Sequence, residues 1–122
     1  MTSSRHAPMD EAYERMASEH EARKHREEDK HMVRRHIVVT GLVQGVGFRY
    51  FAVMKARDLG VAGWVCNRFD GSVEAEVQGD EDAVHAFICA LRQGPRWARV
   101  RDVQVEDMAL TDETHGDFRV RG

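Results

Sequence analysis

Apolar residues along this chain change their spacing several times, and each change marks an element. Arg35 to Thr40 carries Ile37, Val38 and Val39, a short β-branched run that predicts a strand. Phe48, Phe51, Ala52, Ala56 and Leu59 then recur at helical spacing, and Gly60 stands where a left-handed C-cap would close that helix. Val61 to Phe69 predicts a second strand whose alternation places Val65, Asn67 and Phe69 on one face and Trp64, Cys66 and Arg68 on the other. Asp70-Gly71 predicts a two-residue hairpin turn into Ser72 to Gln78, with Val73, Ala75 and Val77 facing inward and Glu74 and Glu76 facing water. Asp80 is placed to cap a second helix: Glu81 and Asp82 lie in its first turn, Arg92 in its last, and Gly94-Pro95 follows. That helix carries one apolar stripe, Val84, Phe87, Ile88 and Leu91. Ala98 to Val105 reads as a strand and Phe118 to Arg121 as a short terminal one, after a polar loop containing His115 and Gly116.

The order predicts an α+β, ferredoxin-like two-layer sandwich, β-α-β-β-α-β with a short extra C-terminal strand, both helices covering one face of an antiparallel sheet. Residues 1 to 34 do not join this pattern. They have no Gly, Ile, Leu, Phe or Trp and only one Val, at position 33, so they bury too little to offset the entropy of ordering. The expected division is a charged, His-containing extension over 1–34, disordered or partly helical, and a folded domain over 35–122. Spacings such as Glu19 to Arg23 and Glu21 to His25 support at most a solvated helix. His6, His20, His25 and His31 include no i,i+4 pair, and no metal site is expected there.

Composition narrows the partners. A length of 122 residues with 42% hydrophobic side chains suits one domain with one core. The formal charge of −3 and pI near 6.1 argue against a nucleic-acid surface, so any anionic ligand needs a local pocket. Cys66 and Cys89, on opposite sides of the expected fold, predict reduced thiols and a cytoplasmic setting. No run approaches the roughly 18 to 20 apolar residues of a membrane span, and no signal peptide is expected. A monomer without membrane or nucleic-acid partners is the resulting expectation.

The chemistry concentrates in Gly41-Leu42-Val43-Gln44-Gly45-Val46-Gly47-Phe48-Arg49, a glycine-rich turn between the first strand and the first helix. Helix N-terminal amides lack intrahelical partners and carry partial positive charge, so such a turn can wrap N–H donors around a phosphate. Arg49, in the first helical turn, can add a planar guanidinium that grips two oxygens. By itself the loop is also compatible with an ordinary strand-to-helix connection. It is neither a Walker A loop nor a G-x-G-x-x-G fingerprint, because Tyr50 stands where the last glycine would be.

A second block decides between these readings: Gly60-Val61-Ala62-Gly63-Trp64-Val65-Cys66-Asn67-Arg68-Phe69-Asp70-Gly71-Ser72-Val73-Glu74. Together the two blocks resemble the signatures of the acylphosphatase family, G-x-V-Q-G-V-x-F-R and G-x-x-G-W-V-x-N-x-x-D-G-x-V-E, and Gly79, Phe87, Gly94, Pro95 and Ala98 fit the same pattern. The resemblance covers about residues 35 to 122 and says nothing of the extension. It implies hydrolysis of acyl phosphates to a carboxylate and inorganic phosphate, the latter also an inhibitor, without metal or cofactor. By position it implies Arg49 as phosphate ligand, Asn67 as the residue that orients the attacking water, and the backbone of Gln44, Gly45, Val46, Gly47, Phe48 and Arg49 as the cradle. His85 and His115 are read as surface histidines and Trp64 as half-buried packing on the open sheet face. The rival readings are a non-catalytic anion-binding or regulatory module of the same fold, and a carrier domain whose charged tail docks a partner.

Overall fold

The computed structural model describes residues 31–112 and 117–122; the expectations placed on residues 1–30, His6, His20 and His25 among them, and on His115 and Gly116 lie outside the described residues. The first strand, β1 (Met32–Leu42), starts three residues before the expected Arg35. Its alternation buries Val33, Ile37 and Val39 on one side and turns Arg34 and His36 to the other. Helix α1 (Phe48–Leu59) ends at Gly60, which has φ 72° and donates its N–H to the last turn, as the left-handed cap predicts. Strands β2 (Ala62–Asn67) and β3 (Val73–Asp80) follow, then α2 (Glu81–Gln93), β4 (Arg99–Met108) and β5 (Phe118–Val120).

These strands form one sheet in the order β4-β1-β3-β2-β5, a ferredoxin-like arrangement with an added edge strand. It is mixed rather than wholly antiparallel, because β5 pairs parallel with β2, Gly63 opposite Phe118. The chain leaving β4 adds not to the outer edge of β4 but to the opposite edge of the sheet, at β2, and there it runs in the same direction as its neighbour. Phe118 secures the added strand by packing its ring 5.4 Å from that of Phe87. Val84, Phe87, Ile88 and Leu91 of α2 and Phe48, Ala52, Val53 and Ala56 of α1 bury together against Ile37, Val39, Val65, Val73, Ala75 and Val77 of the sheet. The two predicted helices are observed; the α2 stripe is the expected one, whereas in α1 Phe48, Ala52 and Ala56 are buried as expected, Val53 is buried in addition, and Phe51 and Leu59 are only partly buried.

Two local departures bear on the site. The β1–β4 register slips between Thr40 and Gly41, where Arg101 of β4 is the extra, unpaired residue, and the ladder resumes through Leu42 opposite Arg99. Gly41 has φ 127°, and a Cβ there would stand 2.1 Å from the Arg99 carbonyl oxygen, so only glycine lets the strands close at this point. The β2–β3 connection spans residues 68–72 instead of the two-residue Asp70-Gly71 turn. The Asp70 carboxylate accepts the Ser72 amide at 3.0 Å and the Ser72 hydroxyl at 2.6 Å, and this Asx arrangement replaces the tighter ladder. The same two bonds hold the Asp70 carboxyl below the usual carboxylate range.

The sheet face away from the helices is drier than its sequence suggests. Arg34 is only 3% exposed, its guanidinium donating to Glu76 Oε1 at 2.6 and 3.0 Å, to Gln78 Oε1 at 3.3 Å and to Thr111 Oγ1 at 3.2 Å. Gln78 in turn accepts the Thr111 amide at 2.8 Å and donates to its carbonyl at 3.0 Å, which straps the segment after β4 across the face. Trp64, expected half-buried, is 6% exposed because the Arg121 guanidinium lies 4.0 Å from its ring centroid. Arg34→Ala removes the hub of this network while Glu76 keeps 18% of its surface for water, so the expected loss is about 2 kcal/mol, below that of a fully buried pair. Urea unfolding monitored by tryptophan fluorescence checks it, and an unchanged midpoint would relegate the network to surface decoration.

Candidate active site

The loop from Val43 to Gly47 leaves β1 as a series of bends without hydrogen-bonded turns. Gly45 and Gly47 have φ of 74° and 79°, and a Cβ at either would meet nothing within 4 Å, so both are required by backbone conformation and not by crowding. Gly47 is the N-cap of α1. In that position it offers no capping side chain, and among the described residues no protein acceptor takes the backbone N–H groups of Gln44, Gly45, Val46, Gly47, Phe48 or Arg49. A run of unengaged amides at a helix N-terminus carries the partial positive charge that suits an anion.

Arg49 projects from the first turn of α1 and Asn67 ends β2, and both line one cleft of about 480 Å³ with Gly45, Gly47, Phe48 and Val43. Neither side chain has an ion pair or hydrogen bond to another described residue. Asn67 shares the sheet face of buried Val65 but lies one pleat farther along, where the core ends and the cleft opens. It also borders a shallower depression on the hairpin side, with Cys66 and Phe69. Two arginines, Arg49 and Arg57, and no carboxylate line the cleft, so it is locally cationic in a chain whose formal charge is −3.

The two halves of the cleft come from segments far apart in sequence, and Gln44 connects them. Its side-chain amide donates to the Arg68 carbonyl at 2.7 Å and to the Ser72 carbonyl at 2.8 Å. Ser72 O also accepts the Arg68 amide at 2.9 Å, so the same carbonyl closes the hairpin and receives the loop. The side chain of Gln44 is thereby committed to protein, leaving its backbone N–H as the group available to a ligand. Sequence reasoning left Gln44 between a backbone contact and a purely structural part and did not identify the partners of its side chain; no local signal marks a side chain that bonds 24 and 28 residues away.

Reasoning from sequence also missed the outer wall. Tyr50, Val53, Met54 and Arg57 line the cleft beyond Arg49, and their offsets of one, four, five and eight residues place them on one helical face with it. That spacing was readable once Arg49 was placed. The remaining candidates lie apart from the cleft. Cys66 and Cys89 are both free, and burial, reinforced by neighbouring Glu74, pushes the Cys66 thiol above the ordinary range, so it is held as an unreactive thiol. His85 stands on α2 with its ring 3.7 Å from Cys89 Sγ, and neither residue lines the cleft. Among the described residues no cluster of His, Cys, Asp and Glu has the makings of a metal site, and no helix is long and apolar enough to cross a membrane.

Comparison with known proteins places this geometry. The family model described as Acylphosphatase matches residues 35–120. An acylphosphatase of Bifidobacterium longum is 62% identical over 90 residues, covering 74% of this chain and 93% of the relative. Among solved structures, an acylphosphatase from Coxiella burnetii superposes with a TM-score of 0.71 at 37% identity, covering 77% of this chain and 96% of that one. The acylphosphatase from Bacillus subtilis gives 0.69 at 39% identity, with coverage of 74% and 99%. A match spanning the loop, the hairpin and the whole described sheet is more than a shared fold: the chain belongs to the acylphosphatase family.

Proposed function

We propose that the cleft hydrolyses acyl phosphates to a carboxylate and inorganic phosphate by direct attack of water on phosphorus. The observation that carries this reading is that Gly45, Gly47, Phe48 and Arg49, whose backbone amides are unengaged, line one cationic cleft together with the Arg49 guanidinium and Asn67, while Gln44 borders the neighbouring depression and Val46 packs against the core. The amides and the fork of Arg49 hold the equatorial phosphoryl oxygens and favour the charge that spreads over them in the transition state. An acyl phosphate already carries a good leaving group, so positioning and charge stabilisation suffice and no covalent intermediate is required. Asn67 orients the water by hydrogen bonding; an amide cannot take its proton, and a substrate phosphoryl oxygen receives it instead. Charge compensation by Arg49 and the backbone leaves no task that calls for a metal or cofactor. The chemistry belongs to the domain of residues 35–122, and the free cysteines suit a cytoplasmic enzyme.

Hydrolysis of benzoyl phosphate in the presence of a chelator tests the reading directly: turnover supports it, whereas phosphate binding without turnover marks a sensor of the same fold. Arg49→Lys keeps the charge but loses the bidentate fork, and both inhibition by inorganic phosphate and turnover are expected to collapse. Asn67→Ala is expected to keep phosphate inhibition and lose roughly 10²-fold in kcat, the scale of one oriented catalytic donor. Normal phosphate inhibition in the first variant, or normal kcat in the second, moves the role elsewhere. Gln44→Leu removes the strut while leaving the backbone donors, so kcat should fall by about tenfold or more with phosphate inhibition changed less. Equal losses in both would show that the strut shapes the cradle itself and not its relation to Asn67.

A further inference from the structure

The cleft extends well past the phosphate cradle, along a face of α1 that runs from Arg49 through Tyr50, Val53 and Met54 to Arg57. Arg49 and Arg57 are eight residues apart, so their Cα atoms are separated by about 12 Å along the axis, eight times the rise of about 1.5 Å per residue. The wall between them is apolar and open to contact, Met54 being 41% and Tyr50 71% exposed. Arg57 has no competing anion of its own. The positions three and four residues away on the helix face are Met54, Val53, Gly60 and Val61, and among the described residues the guanidinium makes no ion pair or hydrogen bond.

We infer that Arg57 is a specificity-determining residue that binds a carboxylate at the far end of the acyl group, so that the enzyme favours acyl phosphates of medium-length dicarboxylic acids. This rests on the acyl phosphate reading of the cleft and extends it from the phosphoryl end to the acyl end. With phosphate held at the cradle and Arg49, the acyl chain lies on Tyr50, Val53 and Met54, which excludes water from its methylene groups. A six-carbon diacid monoacyl phosphate spans roughly 9 Å from phosphorus to the distal carboxyl carbon at about 1.25 Å advance per bond, within the reach of two inward-swung arginines. A planar guanidinium meets a terminal carboxylate through two parallel hydrogen bonds, whereas a terminal methyl leaves it solvated. The chemistry at phosphorus is unchanged; only the retained acyl chain is read.

The test compares adipoyl phosphate with hexanoyl phosphate, equal in chain length and different at the terminus, in the full-length chain and in Arg57→Gln and Arg57→Lys. The wild-type kcat/KM ratio of adipoyl to hexanoyl phosphate is expected to exceed one and to fall by about fivefold in Arg57→Gln, the scale of a solvent-exposed ion pair. Arg57→Lys, which keeps the charge but loses the fork, should retain only part of the ratio, between that of Arg57→Gln and the wild type, and raising ionic strength should erode the wild-type ratio. A ratio that moves by less than about twofold in Arg57→Gln overturns the inference while leaving acyl phosphate hydrolysis in place. It would mean that Arg57 only complements the carbonyl end of the helix, visible as a lower Tm without altered selectivity. Hydrolysis of neither compound by the wild type, with benzoyl phosphate also untouched, overturns the functional reading and this inference together.

Discussion

The cleft depends on a side-chain amide that bonds across the gap between its two walls. Gln44 donates to the carbonyls of Arg68 and Ser72 at 2.7 and 2.8 Å, tying the glycine-rich loop to the hairpin that follows Asn67. Without such a tie the loop, bounded by glycines of positive φ, has little to determine its distance from β2. The carbonyls it reaches are themselves ordered by the Asp70–Ser72 bonds, so the hairpin presents a prearranged acceptor pair. Catalytic groups on different elements must be held to within a fraction of an ångström, and a short bridge between neighbouring carbonyls achieves this more directly than the distant core.

The second constraint is electrostatic. The chain carries a net negative charge, yet the cleft has two arginines, a set of unengaged amides and no carboxylate. The positive character of the cleft is consequently a property of one helix end and one helix face, not of the overall field.

The two faces of the sheet are closed in different ways. The helices and their apolar stripes cover one face and end in the cleft, while the opposite face is sealed by Arg34, Glu76, Gln78 and Thr111 and by Arg121 over Trp64. Both seals recruit residues that follow β4, which explains why a nominally wet sheet face hides a tryptophan and a guanidinium. The parallel β5 belongs to the same logic: it covers the β2 edge, and its Phe118 completes the core against Phe87.

Periodicity in the sequence was enough to locate both helices, to orient Val73, Ala75 and Val77 and to place Gly60 at a helix end, because these depend on neighbours within a few residues. The glycine-rich loop likewise pointed to Arg49, since backbone conformation at glycines and the order strand, loop, helix are local properties, whereas Asn67 was singled out through the family resemblance of the second block. What local pattern could not carry was any contact closed by tertiary folding. The parallel pairing of β5, the widened hairpin loop, the burial of Trp64 and Arg34 and the Gln44 strut all join residues brought together only when the sheet forms. Hydrophobic spacing reports which side of an element leaves water, whereas the partner of a polar group is set by geometry between elements, and that geometry was decided in three dimensions.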